Sequence, residues 1–287
     1  MTPRPDGDGA WVDLHLHSSF SDGADPPEQV VARAHALEIS AISLTDHDTI
    51  AGVERARNAA EAIGLGFLPG VEISAEFKGR EIHVVGLGID VASPVLGDLL
   101  HVLSEMRRRR LTAILDALQR MNLALDVEQV LDSNMHVQPG RMHVAKALRH
   151  MGAATSVQNA FERYLNPGCP AHVSKQLPPA EEVIAAIHQA RGLAFLAHPG
   201  LGRCSPGRVN ALLALPFDGI EAWHVSHTPD MVRQFSAMAG KRSLLVAGGS
   251  DCHGGIKGEA PTMGRVKVPH DCYATIVKRL KECFSEG

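Results

Sequence analysis

The stretch Ala41-Ile-Ser-Leu-Thr-Asp-His-Asp48 decides the reading of the fold. Ala41 to Thr45 is short, mostly apolar and free of charge, which suits a strand buried on both faces. Asp46-His47-Asp48 then crowds chemically able side chains onto its C-terminal end. Downstream, a helix is expected to about Ile63, stopped by Gly64, and Leu65 to Leu68 reads as the next strand. Upstream, Trp11 to His17 is a strand and Ser18 to Pro27 a loop with Asp22-Gly23 as turn chemistry, and Pro27 opens a helix to about Leu37. This β-α-β-α-β rhythm predicts parallel strands with crossover helices, an arrangement that gathers sites at strand C-termini.

Outward from there the rhythm breaks and then resumes. Ile73–Phe77 and Arg80–Val84 flank Lys78-Gly79, the signature of a β-hairpin. From Ser93-Pro94 the sequence turns helical through Leu96, Leu100, Leu103, Ile114 and Leu118, with further helices expected at about 126–132, 141–151 and 156–164. A helix from Pro178 to Arg191, a strand Leu193–Ala197, a helix near 206–214 and a strand Gly219–Trp223 follow. A helix near 229–239, a strand Leu244–Ser250 and a last helix from about His270 complete the pattern. The predicted division is an α/β domain over residues 11–96 and 171–287, a helical insertion over 97–170, and a disordered extension over 1–10.

Composition narrows the class. The 287 residues are 45% apolar and only 4% aromatic, enough for one large core and better suited to an α/β protein than to a β-sandwich. A net charge of -4 argues against coating nucleic acid by bulk electrostatics. Five scattered cysteines (Cys169, Cys204, Cys252, Cys272 and Cys283) form no CxxC pair, which excludes a disulfide framework and a zinc ribbon. Neither a signal-peptide h-region nor an apolar run of membrane-spanning length is found, so no membrane span and a cytoplasmic location are expected. The histidine count of 16 is the unusual number, because several stand beside Asp or Glu in apolar contexts.

His15 and His17, two apart on a strand, leave the same face. If Lys78-Gly79 is a two-residue turn, Phe77 faces Arg80 and Ser74 faces His83, which puts Glu72 one diagonal step from His83. His47 and His198 each end a buried strand, and Asp251 and His253 end another, with Cys252 pointing the opposite way as a packed thiol. Taken singly, each has an ordinary explanation as a strand-end polar residue, and Asp22 as a turn residue. Together, six imidazoles and three carboxylates at one mouth predict a site for two or three divalent cations. This mixture suits Mn²⁺, Zn²⁺ or Fe better than Ca²⁺ or Mg²⁺, with Mn²⁺ first.

At these residues the chain resembles the PHP (polymerase and histidinol phosphatase) family. The matching stretches are Asp13-Leu-His-Leu-His-Ser18, Ser21-Asp-Gly23, Leu44-Thr-Asp-His-Asp-Thr49, Gly70-Val-Glu-Ile-Ser74, Ile82 to Asp90, Ala197-His-Pro199 and Gly249-Ser-Asp-Cys-His253. The resemblance implies an α/β fold, a distorted (β/α)7 PHP barrel interrupted by the helical insertion. It also implies one ion on His15, His17, Glu72 and Asp251, a second on Glu72, His83 and His198, and a third on Asp22, His47 and His253. The insertion resembles that of small stand-alone PHP phosphoesterases, a branch holding 3′,5′-nucleoside bisphosphate phosphatases and 5′-3′ exoribonucleases. Arg107 with Arg110, Gly140-Arg-Met-His143, Phe161 to Pro167 and Ser226-His227 share in it, while Cys252 departs from the larger residue expected there.

The expected activity is hydrolysis of a phosphate ester by metal-activated water. His227 is the first candidate for protonating the leaving oxygen and His143 the second. Arg107 and Arg110, three apart on one helix side, are expected to clamp a second phosphate with Arg141, and His143 and His227 to line the same substrate site. The substrate expected first is a small nucleotide such as 3′-phosphoadenosine 5′-phosphate or AMP. Trimming of short 5′-phosphorylated RNA or DNA is the second reading. A C–N hydrolase of the amidohydrolase type is remote, because those barrels typically bridge their metals with a lysine and Glu72 stands here instead. A scaffold carrying structural metals only is the remaining class.

Overall fold

The computed structural model describes residues 9–131, 138–201, 205–255 and 261–284. The extension expected over 1–10 lies outside these as far as residue 8, as do Cys204 and the last position of the helix expected at 126–132. Seven strands form the body of one sheet: β1 (Trp11–Leu16), β2 (Ala41–Leu44), β3 (Gly66–Phe77), β4 (Arg80–Leu87), β5 (Leu193–Leu196), β6 (Gly219–His224) and β7 (Leu245–Gly249). They neighbour one another in chain order. The sheet then curls until the end of β7 meets β1: Leu16 bridges Cys252, and the His17 amide donates to the Cys252 carbonyl at 3.0 Å. A two-residue strand, β8 (Val268–Pro269), adds to the start of β1 in the antiparallel sense. The result is a nearly closed barrel with helices around it, as expected.

The distortion has an identifiable cause. Two separate strands were expected at 65–68 and 73–77, but β3 runs through both, because Pro69-Gly70 bends it without ending it. Residues 66–69 pair in parallel with β2, and residues 70–77 pair antiparallel with β4. Gly70 permits the exchange, since a Cβ there would lie 2.2 Å from Ser43 Oγ. Lys78 (φ 52°) and Gly79 (φ 72°) make the turn with both residues left-handed, as a two-residue hairpin requires. Ser74 pairs with His83 and Phe77 with Arg80, the predicted register. Because β4 runs backward, its N-terminal half shares the mouth of the barrel with the C-terminal ends of the other strands, so His83 reaches that mouth from near its strand's start.

Apolar layers hold this frame. Val85, Leu87, Leu193 and Phe195 cluster below the mouth, with Ile276 of the last helix, α10 (His270–Phe284), joining the same cluster. Outside the sheet, α1 (Pro27–Ala36) and α2 (Val53–Ile63) cover Leu16, Ile42 and Leu44. The long helix α3 (Pro94–Gln119) serves two cores. Its Leu96, Leu100 and Leu103 pack with Val71, Ile73 and Val84 of the sheet. Its Leu111, Ile114, Leu115 and Leu118 join a second cluster with α4 (Val127–Leu131) and α5 (Arg141–His150), each buried leucine contributing roughly 1.5–3 kcal/mol. Arg107 and Arg110 fall at the handover between the two cores. After the short α6 (Val157–Ala160), the chain makes a π-helical turn, Phe161–Leu165, which the sequence pattern had read as ordinary helix. Helices α7 (Ala180–Gln189), α8 (Pro206–Leu212) and α9 (Pro229–Gly240) complete the outer layer. Among the described residues, four cysteines are free and no helix is long and apolar enough to cross a membrane.

Candidate metal centre

The nine side chains singled out by the sequence converge at the mouth of the barrel. His15 and His17 leave β1 on one face, both fully buried, with their Nε2 atoms 3.1 Å apart. Glu72 sits at the focus. Its Oε2 lies 3.2 Å from His15 Nε2, 3.3 Å from His17 Nε2 and 3.0 Å from His47 Nδ1. Its Oε1 lies 2.8 Å from His83 Nδ1 and 2.8 Å from His198 Nε2. Asp251 approaches His17 Nε2 at 3.0 Å, and Asp22 approaches His253 Nε2 at 3.2 Å. Asp48 (φ 52°), His198 (φ 22°) and Asp251 (φ 51°) all hold left-handed backbone that non-glycine residues rarely adopt, a strain typical of functional loops.

Whether such a set fits metal ions can be judged from its own geometry. His17 Nδ1, Asp22 Oδ1, His47 Nδ1, Glu72 Oε2 and His83 Nδ1 are buried and make no directed hydrogen bond. Several of them nevertheless crowd against one another near 3 Å. Two donors on one ion at about 2.0–2.2 Å stand ~3 Å apart, so the spacing is that of ligand atoms around a shared cation. Three groups hold their ligand atoms within 4.8 Å of one another: His15, His17, Glu72 and Asp251; His47, Glu72 and His83; and His17, Asp22, His47 and His253. The first is the set implied by the family resemblance. The other two differ from it in giving His47 to both and adding His17 to the third, with His198 reaching the second through Glu72 Oε1.

The electrostatics agree. Burial pushes Glu72 up, but the charges of His47, His15 and His83 hold it well below the usual carboxylate range. Asp251 and Asp22 are likewise buried and held low, chiefly by His15 and His253 respectively. Burial works against a proton on His83, yet Glu72 and Glu81 lift it to about 10; Asp22 does the same for His253, also to about 10. Burial and the neighbouring His253 press His17 down to about 3. Protonated imidazoles thus balance the carboxylates in the chain alone, and a cation would take their place and release the protons.

Supporting groups that the sequence reading passed over fix these orientations. Glu221 on β6 accepts from His15 Nδ1 at 2.9 Å and from the His198 amide at 2.8 Å. This puts the His15 proton on Nδ1 and leaves Nε2 free to ligate. A glutamate within the otherwise apolar strand expected at Gly219–Trp223 was the one sequence hint of it. Asp46 accepts from the Ser18 amide, Ser18 Oγ and Ser21 Oγ at 2.7, 2.6 and 2.6 Å, pinning the loop that carries Asp22. His224 faces Asp251 at 3.4 Å.

A cleft of about 640 Å³ opens over the cluster, with Asp22, His47, His83 and His198 on one side and Arg107, Arg110 and Arg141 on the other. The arginines are not equivalent. Arg107 lines the cleft while pairing with the buried Asp48 carboxylate (Nε–Oδ2 2.6 Å) and donating to the Pro139 carbonyl. Arg110 uses Nε on the Val173 carbonyl (2.8 Å), and Arg141 bonds the Leu165 carbonyl (3.4 Å) with its guanidinium over the Phe161 ring. Neither meets a carboxylate among the described residues. Burial, and then the charge of Arg141, bring Arg110 down to about 10.

The two expected proton donors are each tied to neighbouring backbone. His227 is held by backbone on both sides: Nδ1 donates to the Ala222 carbonyl at 2.8 Å and Nε2 accepts from the Gly200 amide at 3.0 Å. His143 caps its own helix by accepting from the Gly140 amide at 3.1 Å, and it bonds the Ser21 backbone. Each is thus held in place by neighbouring loops.

Comparisons with known proteins agree with this picture. Residues 13–110 match the PHP domain. A 3′,5′-nucleoside bisphosphate phosphatase of Chromobacterium violaceum is 36% identical over 270 residues, covering 91% of each chain. The 5′-3′ exoribonuclease Rnm of Escherichia coli is 34% identical over 249 residues, covering 84% of each. A crystal structure described as a putative metal-dependent phosphoesterase, from Bifidobacterium adolescentis, superposes with a TM-score of 0.85 at 29% identity, covering 95% of this chain and 97% of that one. With relatives this similar over nearly its whole length, and a strand-end cluster of the kind that holds divalent cations, the chain belongs to the PHP family and is a phosphoric ester hydrolase.

Proposed function

We propose that this enzyme binds two or three divalent cations, Mn²⁺ by preference, on His15, His17, Asp22, His47, Glu72, His83, His198, Asp251 and His253. With them it removes a phosphate from a small nucleotide that carries a second phosphate. When bound, the cations would supply an acidified water and neutralise phosphate charge. The chain's own residues do the rest. Glu72 ties the ligand groups together, Glu221 fixes the His15 tautomer, and Asp46 holds the Asp22 loop in place. Arg110 and Arg141, across the cleft, fix the second phosphate and so the pose of the first. The helices over 97–170 act as the cap that carries these arginines.

The observation that carries this reading is one cleft with a ligand cluster on one wall and two guanidiniums without carboxylate partners on the other. The names of the relatives support a nucleotide substrate, and the free cysteines suit the cytoplasm. Exonucleolytic trimming of 5′-phosphorylated RNA is the second reading, favoured by the E. coli relative and by the same two-point spacing. An amidohydrolase reading lacks its bridging lysine: Glu72 occupies the focus, and the lysine that lines the cleft, Lys175, is paired with Glu81. The test is hydrolysis by the Mn²⁺-loaded chain of a 3′,5′-bisphosphate nucleotide against a 5′-phosphorylated RNA 5-mer. Faster phosphate release from the bisphosphate supports the phosphatase. Faster mononucleotide release from the 5-mer replaces it with the exonuclease, and hydrolysis of neither removes both.

A further inference from the structure

Arg110 and Arg141 are a partition, not an end wall. A second cavity of about 280 Å³ lies on their far side, and Arg110, Arg141, Lys175 and Glu81 line both spaces. The inner cleft of about 640 Å³ is by itself of the size that encloses a ligand as large as a nucleotide. The outer cavity adds room beyond it.

The chemistry of the outer cavity is that of an anion site. Each guanidinium spends an N–H on a backbone carbonyl, Val173 for Arg110 and Leu165 for Arg141, which fixes the forks and leaves other donors uncommitted. His172, on the outer side, donates Nδ1 to the Leu165 carbonyl at 3.2 Å, so its position is set by the same π-helical turn that anchors Arg141. The two acids present are already engaged. Glu76 accepts from the Gly79 amide at 2.8 Å, and Glu81 lies between His83 and Lys175. Against these two carboxylates stand Arg110, Arg141 and Lys175, which leaves the lining with a net positive charge.

Building on the nucleotide reading above, we infer that the outer cavity is a second anion subsite, which receives the β-phosphate of a nucleotide whose anchored end carries a diphosphate. The phosphate held between Arg110 and Arg141 then need not be the last, and substrates with a longer anionic end are accepted alongside simple bisphosphates. Ser174 lines this outer cavity and is exposed, so a bulky residue there fills the space without disturbing a core.

Calorimetric titration of the purified full-length chain with AMP and with ADP tests this without requiring turnover. ADP is expected to bind about ten-fold more tightly than AMP, the gain of one further charge-assisted phosphate contact. In the Ser174→Phe variant that gain is expected to vanish while AMP binding is kept, and His172→Ala is expected to shrink the gain in part. Equal affinity for the two nucleotides in the parent chain, or a gain that survives Ser174→Phe with an unchanged melting temperature, overturns the proposal. The preceding reading fails separately: a chain that binds ADP as described but hydrolyses no phosphate ester with Mn²⁺ keeps this subsite and loses its assigned reaction.

Discussion

The two walls of the cleft are built in opposite ways. The strand-end wall crowds like groups together: five imidazoles lie within 3.3 Å of one carboxylate, on rigid strands locked by Glu221 and Asp46. The helical wall spaces its cations along α3 and α5, fixes each by a backbone carbonyl, and leaves guanidinium donors over for something else. In the function proposed above, one wall would take cations and the other a phosphate, so that a phosphate ester held between them would satisfy both.

That contrast can be broken at its extremes. Replacing Glu72 with Gln removes the carboxylate common to two ligand groups. Hydrolysis should fall by about 10³-fold or more, the scale of losing a principal charge-stabilising group, and bound metal per chain should drop with it. A variant keeping full metal content and turnover would deny Glu72 its central place.

The helical wall makes a paired prediction. Arg107→Ala strands the Asp48 carboxylate, only 1% exposed, at a cost of roughly 3 kcal/mol or about 6–12 °C in Tm. Arg110→Ala should leave Tm nearly unchanged and raise KM for the two-phosphate substrate roughly 10-fold, with kcat retained. Thermal melts and steady-state kinetics on the two variants decide it. If both change KM alike and neither changes Tm, Arg107 belongs to the clamp after all.

Glu221→Gln probes how the strand wall is locked. Losing the acceptor for His15 Nδ1 should weaken metal affinity by about 10–100-fold without unfolding the chain. Metal titration would sink the idea if affinity stayed level.

The smallest effect lies far from either wall, at the opposite end of β5. There His188 is raised by its hydrogen bond to Asp218, at 2.7 Å and more than a third exposed. Its contribution to stability is present below the ordinary imidazole value of about 6.5 and is lost as pH rises through the raised folded value. His188→Gln should therefore cost no more than about 0.5 kcal/mol at pH 5.5, and less at pH 9. A loss that grows with pH would reverse the sign and contradict the pairing.

What could be read from the chain follows the same division. The strand wall was readable because period-two alternation and a two-residue turn fix which side chains share a face: Lys78-Gly79 alone sets Ser74 against His83. The helical wall depends on long-range packing that no local pattern encodes. Arg107 meets Asp48 because α3 crosses from one core to another at that point, and the partner lies 59 positions away. His227 was expected to protonate the leaving oxygen, and only the fold shows that the Gly200 amide meets its Nε2. Separate strands were expected on either side of Pro69-Gly70, although that pair is the bend that lets β3 change partners. Glu221 went unnoticed because its role exists only once β6 lies beside β5 and β7.

The most direct test of the whole account is metal removal and return. The chain would be stripped with a chelator and rebuilt stepwise with Mn²⁺, while phosphate release from a 3′,5′-bisphosphate nucleotide is followed against bound metal. The account predicts no turnover in the stripped chain, and activity that rises to a plateau at two or three ions, in keeping with the three candidate ligand groups. Undiminished turnover by a chain shown to hold no metal would contradict it.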